Sequence, residues 1–333
     1  MIVGGAIGDA LGAPVETWTP ERIIEVHGEP ITGYVPAIGH KWFKEETFPV
    51  GSITDDTQLT LATARGVIQG HKNGGTLDDY MDAIAAAHCK AMSDTTDGWG
   101  TSTREAVRRL QNNVHWSESG KSSNAQRGTG NGVPMKISPL AAVKHFMGDK
   151  LLPDGHSFEN LCIAYSAMTH YSQMSAYAAI IHAETCVDAA FSSFCVNDFW
   201  FNVFARCDVS HLNNDSEDSL PNQMKLLDAN EFVTIDQRRE LFGNGSCYLF
   251  HSLPFAYSFL LYPTDDPLDV LLDVVNAGGD TDTNASMVGN IIGAMYGTEL
   301  FEHEENKWAI DGLQNYEEIV AVSTILCDTL EIE

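Results

Sequence analysis

The sequence predicts an all-α protein. Apolar residues recur at the three- and four-residue spacing of amphipathic helices along most of the 333 residues. Sustained alternation of apolar and polar residues, the pattern of a half-buried strand, is absent from the sequence. The stretches between the periodic segments are rich in Gly, Pro, Ser and Asn, which favour turns. These observations favour helices packed on helices around an apolar core.

The helices are placed by their apolar periodicity and by the residues at their ends. Apolar residues fall on one broad face of the segment 56–70. Thr76 is a good N-cap for a helix over 76–91, because acids follow it in the first turn. Pro134 suits the first position of a helix over 134–147. Further helices are expected over 101–111, 157–168, 172–191, 251–261, 266–276, 284–296 and 314–330.

The connections argue for one domain. The segments 27–52 and 112–133 are rich in turn-forming residues, and 207–222 is rich in Asp, Asn and Ser. None of these segments has the length or composition of an interdomain linker. We therefore expect a single domain over 1–333, with a surface insertion near 207–222.

The charge of the chain limits its partners. The formal net charge is -27, with only 19 Lys and Arg. A protein this acidic has no electrostatic attraction for nucleic acid or for an anionic membrane surface. An anionic ligand would need positive potential from metal ions, helix N-termini or backbone N–H groups. We expect a monomer that binds neither nucleic acid nor an anionic membrane.

The cysteines and the hydropathy indicate a cytoplasmic protein. The cysteine count is seven, an odd number, and there is no C-x-x-C motif. Reduced thiols fit this pattern better than a disulfide framework. The apolar start of the chain lacks basic residues and contains Asp9, so we do not expect a signal peptide. No apolar stretch is long enough to span a membrane.

Two short acidic motifs lie far apart in the chain. Residues 54–57 read T-D-D-T, and residues 280–283 read D-T-D-T. Each motif contains two carboxylates and two hydroxyls and leads into an apolar run at helical spacing. Clustered hard oxygen ligands suit Mg²⁺, Ca²⁺ or Mn²⁺. If the fold brings the motifs together, they would form a binuclear metal centre.

Each motif also has a simpler interpretation. On its residues alone, 54–57 fits a helix N-cap followed by acids in the first turn. The second motif matches the first three ligands of an EF-hand, but Ala285 stands at the required glycine and Ile291 at the bidentate glutamate. Four ligand-type side chains directly before a buried helix are costly unless cations accompany them. Metal binding is therefore favoured for the second motif.

The start of the chain carries glycines at four-residue spacing. Gly4, Gly8 and Gly12 would form a face for close helix packing. Asp9, beside that face, is either a helix cap or an acid that supports the site. Glu16 could reach a cation from a loop.

Three other features suggest a ligand site, and each has an ordinary alternative. The glycine-rich segment 127–133 could present N–H groups to an anion, or could be a flexible surface loop. His170 lies at a helix junction, where a lone histidine is more often structural than catalytic. The segment 243–248 could be a second ligand loop or only a turn.

Taken in order, these features resemble the ADP-ribosylglycohydrolase family. The family includes the dinitrogenase reductase-activating glycohydrolase of bacteria and the arginine- and serine-directed ADP-ribosyl hydrolases of animals. The resembling motifs are G-x-x-x-G-D-A-L-G at 4–12 with Glu16, S-I-T-D-D-T at 52–57, G-x-G-N-G-x-x-M-K at 128–136, T-H at 169–170 and G-G-D-T-D-T at 278–283.

The resemblance implies a compact helical fold that hydrolyses the glycosidic bond between ADP-ribose and an acceptor at a centre of two Mg²⁺ or Mn²⁺ ions. It implies metal ligation by Thr54, Asp55, Asp56, Asp280, Asp282 and Thr283. Glu16 would lie on a mobile loop beside the metals, and the candidate catalytic groups are Glu16, Asp56 and Asp282. The implied substrate contacts are Gly128, Gly130, Asn131, Gly132, Met135, His170 and Tyr248. Lys136 departs from the usual arginine.

Two other functions stay open at this point. Jellyfish lens crystallins resemble the same family, so a non-catalytic ADP-ribose-binding or structural protein would fit the fold. A metal-free glycosidase needs only two carboxylates, and six potential ligands exceed that need. The acceptor could be arginine, serine, a nucleobase or poly-ADP-ribose.

Overall fold

The computed structural model describes residues 1–124, 127–191, 219–229, 234–261 and 266–331. Within these ranges the chain forms helices and no named strand, and one isolated antiparallel bridge joins Gly130 to Tyr248. The predicted all-α class is confirmed. None of the helices in these ranges has the length and apolar character needed to cross a lipid bilayer.

The helices, numbered in chain order, are α1 (Ile2–Gly12), α2 (Pro20–His27), α3 (Asp55–Asn73), α4 (Leu77–Asp94), α5 (Thr101–Gln111), α6 (Trp116–Ser119), α7 (Pro134–Met147), α8 (Phe158–Thr169), α9 (Gln173–Phe191), α10 (Leu220–Ala229), α11 (Ile235–Leu241), α12 (Leu249–Ser258), α13 (Pro267–Asn276), α14 (Thr281–Tyr296), α15 (Glu299–Glu302), α16 (Trp308–Asp311) and α17 (Tyr316–Glu331). Two 3-10 turns lie at Ala13–Val15 and Gly243–Gly245.

The predicted helices are present, and their ends differ from the prediction by three residues at most. The helices predicted over 101–111 and 134–147 match residue for residue. The start predicted at 284 is wrong by three residues, because Asn284 donates its backbone N–H to the Asp280 carbonyl and closes a first turn from Thr281. Asp282 and Thr283 therefore lie inside that turn. The short helices α2, α6, α10, α11, α15 and α16 were not predicted.

The structure describes only part of the segment 207–222, for which a surface insertion is predicted. Residues 207–218 lie outside the described ranges. Ser219, Leu220 and Pro221, near the end of the predicted segment, are buried at the start of α10. Leu220 belongs to the apolar core, which accounts for its burial.

The first helix, α1, packs backbone to backbone against α14, which begins at the second acidic motif. All eleven residues of α1 are buried, and its glycines face α14. A Cβ atom at Gly4 would lie 2.2 Å from the Gly289 carbonyl oxygen, and one at Gly8 would lie 2.1 Å from that of Ala285. At Gly12 the nearest atom is the carbonyl carbon of Thr281, at 2.3 Å. The glycine spacing therefore serves close helix packing, as predicted.

The other long helices surround this pair. The α3 helix packs against α4 and α7, α7 packs against α9, and α17 covers α3. The main cluster of buried apolar side chains extends from Ile2 to Leu330. Both acidic motifs thus lie where a helix starts against a core to which both ends of the chain contribute.

We predict that Gly8→Ala destabilises the protein by about 2 kcal/mol or more, because the new methyl group meets backbone atoms that cannot move independently. The free energy of unfolding from urea titration measures the change. Gly33→Ala is the matched control, since its Cβ would meet only the Trp308 ring at 3.7 Å. Equal stability of the two variants would contradict the packing argument.

Candidate metal centre

Asp9 fixes the start of α3 from another helix. Its carboxylate accepts hydrogen bonds from the backbone N–H of Thr54 at 3.0 Å and of Thr57 at 3.1 Å. The Thr54 and Thr57 hydroxyls donate to it at 2.7 and 2.5 Å. Burial raises the pKa of Asp9, although these hydrogen bonds oppose the shift. Of the two roles considered for Asp9, the structure shows the helix cap.

Thr54 is also a cap, so the simpler interpretation of the first motif is correct as far as it goes. Thr54 is the N-cap of α3, and its hydroxyl oxygen accepts from the Asp56 N–H at 3.4 Å. Because that hydroxyl gives its hydrogen to Asp9, a lone pair stays available to a cation. The cap places Asp55 and Asp56 in the first turn, so capping and metal ligation are compatible.

Glu16 is held beside the second motif by paired backbone hydrogen bonds. Thr17 donates its N–H to the Gly279 carbonyl at 2.6 Å, and Gly279 donates to the Trp18 carbonyl at 2.9 Å. Gly279 has a φ of 92°, and a Cβ there would lie 2.3 Å from the Asn244 carbonyl oxygen. Only glycine suits this position, which turns the chain directly into Asp280.

Glu16 groups with the carboxylates of the second motif, and the first motif contacts the second through one hydrogen bond. One ligand atom from each of Glu16, Asp280 and Asp282 can be chosen so that all three lie within 4.8 Å of one another. The Thr283 hydroxyl donates to Asp56 Oδ2 at 3.2 Å and so joins motifs that are 227 residues apart. The tightest group contains Glu16, which the resemblance had placed beside the metals.

Asp55 is not among the three carboxylates of this group. A Cβ atom built on Gly98 would lie 2.8 Å from Asp55 Oδ1, so the carboxylate faces the loop before α5. Burial, followed by the charges of Asp9 and Asp280, raises the pKa of Asp55 to about 7. Asp55 therefore shares the electrostatic environment of the group.

The acids raise one another's pKa. Burial, followed by the charges of Asp280, Asp55 and Asp9, raises the pKa of Glu16 to about 9. Burial and neighbouring carboxylates also hold the pKa of Asp56 and Asp282 well above the usual range. Asp56 Oδ1 is buried and has no hydrogen-bond partner in the described part of the chain.

These observations fit a site for divalent cations. Several buried carboxylates cannot ionise together without compensating positive charge. Cations bound between them would supply that charge and release the protons. The carboxylate and hydroxyl oxygens suit Mg²⁺ or Mn²⁺. Ligation by each individual residue of the predicted set stays a prediction.

Hydrogen bonds to its backbone hold the glycine-rich loop in place, so we refer to it as the pinned loop. The Gly128 carbonyl accepts from the Ser172 and Ser175 hydroxyls at 2.6 and 2.7 Å. Leu249 donates its N–H to the Thr129 carbonyl at 2.9 Å, and Asn131 donates to the Cys247 carbonyl at 3.0 Å. The loop is therefore tied to the starts of α9 and α12, and the flexible-loop interpretation does not fit residues 128–131.

Asn131 and Met135 contact the second motif. The Asn131 amide donates to Asp280 Oδ2 at 2.6 Å and to the Ser252 hydroxyl at 2.9 Å. Met135 is buried, with its sulfur 4.0 Å from the Thr283 hydroxyl oxygen. Both side chains therefore support the acidic cluster, and substrate contact by them stays a prediction.

The other predicted substrate residues lie on or beside the loop. His170 is 3% exposed, and its ring packs against Gly132, where a Cβ would lie 2.8 Å from His170 Cε1. Gly132 therefore leaves the space that the imidazole fills. Tyr248 is 39% exposed, and its backbone pairs with that of Gly130. An exposed aromatic ring thus lies next to the loop.

Sequence reasoning missed a buried polar network behind the centre. The Ser252 hydroxyl donates to Asn284 Oδ1 at 2.6 Å, and the Asn284 amide donates to the Gly245 carbonyl at 2.8 Å. The same carbonyl accepts from the Asp280 N–H at 2.9 Å. The available signal in the sequence is Asn284, an amide at the start of an apolar helix.

The fold and the site define a class: an all-α protein with a buried carboxylate centre beside a pinned glycine-rich loop. Residues 1–331 match the family model described as ADP-ribosylglycohydrolase, so the chain belongs to that family. It is therefore a hydrolase that acts on glycosidic bonds of ADP-ribose.

Three relatives align over most of this chain. An uncharacterized protein of Archaeoglobus fulgidus is 25% identical over 331 residues, which cover 98% of this chain and 94% of the relative. The ADP-ribosyl-[dinitrogen reductase] glycohydrolase of Rhodospirillum rubrum is 26% identical, with coverage of 89% and 84%. The uncharacterized protein YegU of Escherichia coli K12 is 25% identical, with coverage of 90% and 88%.

We predict that, with cations removed by EDTA, stability falls as the pH rises through the range set by Glu16. The folded state raises the pKa of this carboxyl to about 9, so near neutral pH the folded protein binds more protons than the unfolded chain. Stability is then greatest near the unfolded pKa and declines as the pH approaches the folded one. Melting temperatures between pH 6 and 9 measure the effect.

Glu16→Gln should flatten this pH profile, and millimolar Mg²⁺ should raise the melting temperature most at high pH. Glu299→Gln serves as the control, because Glu299 is an exposed acid in the short helix α15. A wild-type profile that rises with pH in EDTA would contradict the electrostatic description.

Proposed function

We propose that this protein is a metal-dependent ADP-ribosyl hydrolase that uses two Mg²⁺ or Mn²⁺ ions. The observation that carries the proposal is the meeting of the two acidic motifs, with Glu16, Asp280 and Asp282 grouped within 4.8 Å and Thr283 bonded to Asp56. Supporting it, the Rhodospirillum rubrum relative is named for glycohydrolase activity on ADP-ribosylated dinitrogen reductase. The substrate would be an ADP-ribosylated protein or small molecule.

The first turns of two helices would hold the ions. Thr54, Asp55 and Asp56 would contribute oxygens from the start of α3, and Asp280, Asp282 and Thr283 from the start of α14. Divalent cations, when bound, supply positive charge that orients ribose hydroxyl groups and lowers the pKa of water. The same charge would allow a chain with a net charge of -27 to bind a diphosphate.

The pinned loop would position the substrate. Its backbone at Gly128, Gly130 and Gly132 lies beside the carboxylate group, because Asn131 within the loop donates to Asp280. Backbone N–H groups in a glycine-rich turn suit the phosphate oxygens of ADP-ribose. His170 would meet a ribose from the far side of the loop, and Tyr248 would contact the adenine side.

Proton transfer falls to the carboxyl groups. Glu16 has a pKa of about 9 beside Asp280, so it holds a proton at neutral pH unless cations lower that value. It could donate this proton to the departing acceptor. The pKa values of Asp56 and Asp282 are also raised. Once bound cations have released their protons, these two carboxylates would be the candidates for removing a proton from the attacking water.

We predict that Asp280→Asn lowers kcat/KM by at least about a thousandfold, because it removes a charge at the point where the two motifs meet. The measurement is release of ADP-ribose from a panel of substrates modified on arginine, serine or a nucleobase, with Mg²⁺ or with EDTA. Asp269→Asn, at an exposed acid in the first turn of α13, is the control.

Turnover in EDTA at the rate seen with Mg²⁺ would contradict the metal mechanism and support a metal-free glycosidase. Binding of ADP-ribose without turnover of any substrate would instead support the non-catalytic alternative. The substrate that turns over fastest would identify the acceptor class.

We further predict that Asn131→Ala weakens Mg²⁺ binding by about ten- to a hundredfold, because its amide orients the Asp280 carboxylate at 2.6 Å. Isothermal titration calorimetry with Mg²⁺ measures the affinity. The control is Asn112→Ala, since Asn112 bonds only locally, to the Arg108 carbonyl at the end of α5. Unchanged affinity in Asn131→Ala would show that Asp280 does not need this support.

A further inference from the structure

Lys136 is a buried cation whose role the proposed reaction does not explain. Its side chain is 0% exposed within α7. Burial lowers the pKa of Lys136 to about 7, although the charges of Asp55 and Asp56 oppose the shift. The ammonium donates a hydrogen bond to the Thr169 hydroxyl at 3.0 Å, and it lies 5.9 Å from the centre of the Tyr165 ring. A buried ammonium is costly, so these contacts require an explanation.

The contact with Thr169 fixes the direction of a second hydrogen bond. The Thr169 hydroxyl oxygen lies 2.9 Å from Nδ1 of His170. Below about pH 7, where Lys136 is protonated, its ammonium can only donate, so the hydroxyl accepts from Lys136 and keeps its own hydrogen for another partner. In the described ranges, the Thr169 hydroxyl contacts these two groups and no third. Its hydrogen therefore points at Nδ1, which acts as the acceptor.

The position of the His170 ring gives this arrangement a consequence for the loop. The backbone N–H of His170 donates to the Ser166 carbonyl at 2.7 Å, which anchors the residue at the end of α8. A Cβ at Gly132 would lie 3.0 Å from His170 Nε2, and one at Gly130 would lie 3.9 Å away. The second ring nitrogen thus faces the glycine-rich loop. Burial and then the charge of Lys136 lower the pKa of His170 to about 3, so the ring is neutral.

We propose that Lys136 is a positioning residue that, through Thr169, sets the tautomer of His170 so that Nε2–H faces the glycine-rich loop as a hydrogen-bond donor. A neutral imidazole has one donor nitrogen and one acceptor nitrogen, so occupying Nδ1 as acceptor decides the other. Such a donor would recognise an acceptor oxygen, such as that of a ribose hydroxyl or a phosphate. This last step rests on the proposed function, whereas the tautomer does not.

The tautomer can be measured directly by NMR on protein labelled with ¹⁵N-histidine. In the wild type, His170 should show a protonated Nε2 and an unprotonated Nδ1, with the signals assigned by their loss in His170→Gln. Lys136→Met and Thr169→Val should each convert His170 to a mixture of tautomers. Lys136→Arg and Thr169→Ser should keep the wild-type pattern, since a guanidinium also only donates and serine keeps the hydroxyl.

Lys144→Met is the matched control on the same helix, because Lys144 pairs with Asp149 at the surface. A protonated Nδ1 in the wild type would overturn the proposal, and so would an unchanged tautomer in both Lys136→Met and Thr169→Val. If Lys136→Met fails to fold, the wild-type spectrum and Thr169→Val decide the question.

A second readout separates this proposal from the proposed function. The Kd for ADP-ribose, measured by calorimetry in Mg²⁺, should rise about twofold in Thr169→Val when the two tautomers are equally populated, because only the Nε2–H form offers the donor. An unchanged Kd together with a changed tautomer would overturn the ligand step. Failure of the wild type to bind ADP-ribose would contradict the proposed function, while the NMR result would still decide the role of Lys136.

Discussion

The contact between α1 and α14 is the constraint on which the rest of the site depends. Because Gly4, Gly8 and Gly12 bring the two backbones together, the first helix of the chain reaches both acidic motifs. On one side it delivers Asp9, which caps α3 through four hydrogen bonds. On the other side the Thr281 hydroxyl donates to the Gly12 carbonyl at 2.7 Å. A single helix thus positions two motifs that the sequence separates by more than two hundred residues.

The same geometry explains why so many acids can lie together. Both motifs begin helices, whose free N–H groups carry partial positive charge and favour carboxylates in the first turn. That help is incomplete, since burial raises the pKa of Asp9 even though four hydrogen bonds act against the shift. Helix ends and hydroxyls therefore shape the centre but do not neutralise it. The remaining negative charge would favour bound cations, and in the proposed metal centre it would link folding to metal binding.

The sequence predicted local structure better than the partners of each side chain. The helix over 134–147 was predictable because Pro134 marks its first turn and apolar residues follow at helical spacing. The chemistry of both acidic motifs was likewise visible in a few adjacent residues. The pairing of Thr17 and Trp18 with Gly279 was not predictable, because it joins backbone groups, which carry no residue-specific signal. That backbone pairing holds Glu16 close to Asp280 and Asp282, in the group that could hold a metal ion.

The placement of Lys136 leaves the carboxylates of the proposed metal centre without a direct lysine partner. A buried lysine paired directly with Asp56 would neutralise that carboxylate and occupy the side from which a cation must approach. The ammonium is instead bonded to Thr169, and Asp56 Oδ1 is left without a hydrogen-bond partner in the described residues. The positive charge of Lys136 still acts on Asp55 and Asp56 over a longer distance and opposes their protonation. Lys136 thus contributes positive potential to the centre while its hydrogen bond serves His170 and the loop.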